Sequence, residues 1–174
     1  MTRHRVLRVL RVFAALLLLG GAASAGEPPP PAGTLQDGEH AFQIVVAGGW
    51  RPVPAPPGTL AGYREPGGAA VLALTRVELG RAGESNRPRM VDEVERGVER
   101  ATPGYKRIKR ALSMNGIVPV LDLAYRRASG ETVSRFLFFR RHTMVLSIGL
   151  ESGAPRAVRK AAEAMVKSFT PFVK

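Results

Sequence analysis

Apolar residues from position 39 onward recur with two periods. Phe42, Ile44 and Val46 alternate with Gln43 and predict a strand over His40 to Val46, ended by Ala47-Gly48-Gly49. Leu60 to Arg64 and Ala69 to Val77 predict two more strands about the turn Pro66-Gly67-Gly68. The run Ala70-Val71-Leu72-Ala73-Leu74 predicts burial of the second on both faces. The period then lengthens. Met90, Val91, Val94, Val98 and Ala101 fall at three- and four-residue spacing, which predicts a helix from about Pro88 to Ala101, capped by Ser85 or Asn86 and stopped by Thr102-Pro103-Gly104.

Alternation returns in Tyr105 to Met114, with Ile108, Leu112 and Met114 on one side, and Asn115-Gly116 predicts a tight hairpin. Three strands follow, Ile117 to Arg127, Glu131 to Arg140 and Thr143 to Glu151, and they hold most of the strong apolar clusters of the second half. In the first, Ile117, Leu121, Leu123 and Tyr125 oppose Asp122 and Arg126. In the second, Phe136 and Phe138 oppose Leu137 and Phe139, so both faces need cover. In the third, Met144, Leu146, Ile148 and Leu150 form one buried side, after a turn expected at Arg141-His142. A last helix turns Ala154, Val158, Ala161, Met165 and Phe169 inward and ends at Pro171. The pattern predicts an α+β domain over 39–174, an antiparallel sheet of about six to seven strands sandwiched by two main helices.

The residues before this domain read differently. Arg3, Arg5, Arg8 and Arg11 form a basic region, Val12 to Leu19 an apolar one, and Ala23-Ser24-Ala25 a small-residue site, the pattern of a secretory signal peptide cleaved after Ala25. A retained anchor is the rival reading, but Val12 to Ala25 is shorter than the about 20 apolar residues a bilayer requires. Residues 26–38, with Pro28 to Pro31, read as a proline-rich flexible tether. The expected location is secreted or periplasmic, with no transmembrane anchor after cleavage. Of the formal charge of +12, four belong to the leader arginines and +8 to the remaining chain. Such a surface suits an anionic contact. The absence of Cys excludes disulfides, thiolate metal sites and Cys nucleophiles.

The opening Ala41-Phe42-Gln43-Ile44-Val45 running into Gly49-Trp50, the hairpin Asn115-Gly116 and the closing Lys167-Ser168-Phe169 stand in a fixed element order: strand, hairpin, helix, four-strand meander, helix. In this the chain resembles the PsbP-like superfamily, an α/β/α sandwich found in photosystem II extrinsic proteins, a Ran-binding nuclear import factor and bacterial exported proteins such as DcrB-like proteins. The chain departs from many members in having Ala47-Gly48-Gly49 where a Pro precedes the Trp. The resemblance implies a binding or assembly factor and supplies no catalytic set.

Candidate chemistry is sparse. His40 and His142 are the only histidines after the leader, no Ser sits in a Gly-x-Ser-x-Gly elbow, and neither a Gly-x-Gly-x-x-Gly nor a Walker loop occurs. The expectation is therefore no catalytic residue, no metal and no cofactor. Asp122 could be a lone acid but reads better as a solvent-facing strand position. Two surfaces remain. Trp50 with Pro52, Pro54, Pro56 and Pro57 could form a partner-binding patch on a stiff exposed loop, or Trp50 could simply plug the end of the sandwich. Lys106, Arg107, Lys109 and Arg110 could contact an anionic surface, or guard an edge strand against unwanted pairing. Strand alternation sets Lys106 and Arg110 opposite Arg107 and Lys109. No nucleic-acid partner is expected, because export removes the usual target and no aromatic platform accompanies the charges. The functional expectation is a non-catalytic exported binding or assembly-factor module of the cell envelope. The alternative is a carrier of a lipid or other apolar ligand, with an enzyme the remaining class.

Overall fold

A computed structural model of the chain describes residues 33–55, 58–78 and 87–172. The elements run β1 (Thr34–Asp37), β2 (Phe42–Val45), β3 (Arg51–Val53), β4 (Thr59–Arg64), β5 (Ala70–Glu78), α1 (Arg87–Ala101), β6 (Lys106–Asn115), β7 (Val118–Arg127), β8 (Gly130–Phe138), β9 (His142–Glu151), α2 (Arg156–Ser168) and β10 (Thr170–Pro171). Seven strands form one antiparallel sheet in the order β3-β4-β5-β9-β8-β7-β6, and β1-β2-β10 form a second, smaller sheet. Helix α1 links β5 to β6, which is the far edge of the sheet, and the meander β6 to β9 brings the chain back beside β5.

Register explains the two apolar sets of the meander. Leu121 pairs with Phe136 and Phe136 with Val145, and these side chains join Leu123, Tyr125, Phe138, Val91 and Val98 in the core under α1. One residue out of phase, Val120 pairs with Leu137 and Leu137 with Met144. These face the opposite core, with Phe42 and Ile44 of β2 and Met165, Val166 and Phe169 at the C-terminal end of α2. A period of two thus feeds both layers. Ser134 and Ser147, also paired across the strands, satisfy each other at 2.8 Å inside the sheet.

Several sequence expectations shift. Strand Phe42–Val45 forms where predicted but belongs to the small sheet, while Arg51–Val53 takes the place beside β4. Pro52 is tolerated there because β3 is an edge. The tether assigned to residues 26–38 ends sooner, since Thr34–Asp37 pairs with β2 in a four-residue ladder. That strand is held by backbone bonds and carries only Leu35 as an apolar residue, so periodicity did not announce it. Gly116 and Ile117 form the β6–β7 turn, with Gly116 at φ +58, which leaves Ile117 at the tip and 86 % exposed instead of inside the meander. The β8–β9 turn lies one residue early, at Arg140-Arg141, closed by Phe139 N–H donating to the His142 carbonyl at 2.9 Å. In α2 the fully buried alanine is Ala162 rather than Ala161. Pro56, Pro57 and residues 1–32 lie outside the described residues.

Candidate interaction edge

Among the described residues strand β6 pairs only with β7, so its outer side is a ten-residue open edge. Its basic half does not alternate as a regular strand would. Arg107 is opposite Tyr125 and Lys109 opposite Ala124, so Ile108 has no partner and forms a β-bulge. The extra residue changes the phase. Arg107 and Arg110 consequently share the α1 face, with Tyr125 and Leu123 as their cross-strand partners, while Lys106 and Lys109 point to the other face beside Arg126 and Ala124. The pairing of Lys106 with Arg110 expected from regular alternation is corrected by this one residue.

The two arginines close on α1. Glu95 accepts from Arg107 at 2.8 Å and from Arg110 Nε at 2.7 Å, and Arg110 also donates to Asp92 at 2.8 Å. Burial pushes the Glu95 carboxyl up, but the two guanidinium bonds outweigh it and hold it below the usual range. Burial and the neighbouring Glu95 charge push the Tyr105 hydroxyl up to about 12. An open depression of about 360 Å³ lies here, lined by Asp92, Glu95, Arg96, Glu99 and Arg107. Its central carboxylate is already bonded to arginine, so it serves the attachment of α1 to the sheet edge. Lys106 and Lys109 are exposed and have no acidic partner among the described residues.

The second half of β6 is apolar and open. Leu112 and Met114 are 53 % and 62 % exposed, and with Ile108 and Ile117 they make four of the six exposed large hydrophobics of the described residues. The proline-loop surface stands at the opposite end of the sheet, six strand spacings or about 29 Å away. There Trp50 is 4 % exposed and part of the main core, so its indole cannot present a partner patch. Pro52 and Pro54 are exposed.

The remaining polar groups are structural. Asp122 is not a lone acid: Arg135, directly across the β7–β8 ladder, donates to both its oxygens at 2.6 and 2.8 Å. Arg135 also donates to the carbonyls of Lys167 and Phe169, placing a cation at the end of α2. Asp37 accepts from the His40 ring at 2.6 Å, and His142 contacts the His40 carbonyl at 3.4 Å and stacks on Phe139. These histidines tie the β1–β2 turn to the start of β9. No three metal-ligating side chains converge among the described residues. None of their helices is long and apolar enough to cross a membrane.

The architecture matches solved structures. Cyanobacterial PsbP (CyanoP) from Synechocystis sp. PCC 6803 superposes with a TM-score of 0.58 at 12 % identity, over 88 % of this chain and 99 % of that one. The fold is PsbP-like. The PsbP-like fold is seen also in LpqN of Mycobacterium tuberculosis, described as involved in cell envelope biogenesis, with a TM-score of 0.53 at 13 % identity, over 76 % of this chain and 83 % of that one. PA94 from Pseudomonas aeruginosa, a protein of unknown function and putative regulator, has a TM-score of 0.50 at 14 % identity, over 83 % and 100 %. No family model and no curated protein matches at the sequence level. Within the PsbP-like fold of this chain, other layers cover both faces of the inner strands of the main sheet, and among the described residues β6 is the long edge left open.

Proposed function

We propose that this chain is a non-catalytic exported binding or assembly-factor module of the cell envelope. The observation that carries the reading is the concentration of exposed apolar side chains, Ile108, Leu112, Met114 and Ile117, along one edge strand and its turn. Clustered exposed apolar surface is the mark of a contact site, whereas single residues of this kind are ordinary. The fold likeness to an envelope-biogenesis protein and the leader-like N-terminus support the location. The carrier alternative loses its motive, because the apolar excess of the meander packs against α1 on one face and α2 with β2 on the other.

The test is positional. A photo-crosslinking residue at Met114 should trap a discrete envelope partner in the native host, while one at Leu60, exposed near the opposite edge, should not. Equal yields at the two positions, or none at either, would count against the reading. N-terminal sequencing of the chain recovered from the envelope should begin at Gly26. A chain found intact from Met1 in the cytoplasm would remove the export half of the proposal.

A further inference from the structure

Among the described residues the two sheets leave four open strand edges, and these are not equivalent. β3 has three residues and carries Pro52, β1 has four, and β10 has two and ends in Pro171. Short edges and prolines of this kind block unwanted pairing. β6 has ten residues, and only its first half is guarded, by the bulge at Ile108 and by Lys106 and Lys109. From Arg110 to Asn115 the pairing is regular and β6 itself carries no lysine, proline or bulge, the one proline of this stretch, Pro119, lying on the β7 side, while Leu112 and Met114 stand exposed on one face.

We infer that the outer edge of β6 over Arg110 to Asn115 takes up an extended segment of a partner protein by strand addition, apolar opposite Leu112 and Met114 and acidic toward Lys109 and Lys106. This rests on the reading of the chain as a binding module and names the chemistry of its partner. Backbone groups on an open edge supply a ladder that an incoming strand completes and a lipid surface cannot. Charge then selects the strand. Lys106 and Lys109 share a face with Arg126 and have no acidic partner among the described residues, whereas Arg107 and Arg110 are already held by Glu95 and Asp92. A second copy of the chain answers this less well. Antiparallel self-pairing over Arg110 to Asn115 would set each Lys109 opposite the Gly116-Ile117 turn, which offers no carboxylate.

The experiment titrates the chain expressed from Gly26 with a synthetic peptide of alternating valine and threonine ending in three glutamates, and with its counterpart ending in three lysines. Amide NMR shifts should saturate and be confined to β6 and the strand beside it, with the lysine peptide at least tenfold weaker. Lys106→Glu with Lys109→Glu, both exposed, should invert that preference without changing the thermal midpoint. Leu112→Lys with Met114→Lys should abolish binding of both peptides. Equal binding of the two peptides, or binding of neither, overturns strand addition, as does β6-dependent dimerisation in sedimentation or binding only to phosphatidylglycerol vesicles. If Met114 crosslinks persist while peptides fail, strand addition falls and the binding-module reading stands. If the crosslinks vanish too, both fall.

Discussion

Asp122→Ala distinguishes a structural ion pair from a surface acid. Arg135 donates to both Asp122 oxygens, and the two side chains are 16 % (Arg135) and 25 % (Asp122) exposed. An exposed pair contributes about 0–1 kcal/mol and breaking a buried one costs about 3–5 kcal/mol, so this partly buried bidentate pair should lose about 2 kcal/mol on truncation of the acid. Arg135→Ala should cost about 3 kcal/mol, because the carbonyls of Lys167 and Phe169 lose their donor as well. With the double mutant at about 3.5 kcal/mol, the coupling between the two residues comes to about 1.5 kcal/mol. Urea unfolding of the four proteins measures it. Salt should reduce the coupling only in part, since the pair is shielded from solvent. A coupling under about 0.5 kcal/mol, or one erased by about 0.5 M NaCl, would show Asp122 to be a solvated surface charge after all.

Gly130 has φ +150, and a Cβ there would fall inside contact distance of the Leu150 carbonyl oxygen, so Gly130→Ala should destabilise by more than about 2 kcal/mol in the same urea assay. Burial holds the His142 ring below its ordinary value, against the pull of the His40 carbonyl and with Arg76 nearby. Between the unfolded value near 6.5 and the lower folded one the unfolded chain binds more protons. Stability is therefore full above about pH 6.5 and declines as pH falls through the folded value, and His142→Phe should flatten that slope. Glu95, held low by its arginines, should contribute stability above its ordinary value near 4.5 and lose it as pH falls through the folded value, so Glu95→Gln should blunt the acid limb of thermal melts. Deleting Ile108 should keep the Arg107 and Arg110 contacts, because the residues around it already hold the register of an unbulged strand, and sedimentation should then detect more self-association than in the parent chain, since Lys106 and Lys109 alone guard the edge.

The core was legible because its rule is local. Leu137 and Phe136 could be assigned to opposite faces from neighbouring positions alone, and the Val91 to Val98 stripe needed only helical spacing. Features that depend on partner strands were not. Thr34–Asp37 has no periodic signal, and the transfer of Phe42–Val45 to a second sheet follows from which strands lie beside it. Asp122 and Arg135 carried a recoverable signal: once the turn between Arg127 and Gly130 is fixed at two residues, their registry follows. Trp50 was readable as either a plug or a patch, and only its surroundings decide that it is buried.

The edge shows why a count of cations misleads. Four basic residues within five positions suggest one anionic contact, yet alternation splits them two and two by face, and a single unpaired residue, Ile108, decides that the two arginines share one face and the two lysines the other. Arg107 and Arg110 turn toward carboxylates of α1 and bind the helix to the sheet, which removes half of the apparent positive charge from any partner. Lys106 and Lys109 keep theirs on the other side. The bulge therefore does two things at once, since it supplies α1 with a two-pronged anchor and breaks the regular ladder just where the free lysines stand. Beyond it the strand is regular again and Leu112 and Met114 are uncovered, and because other layers close the faces of the inner strands but not of β6, that segment is where the fold can meet another chain.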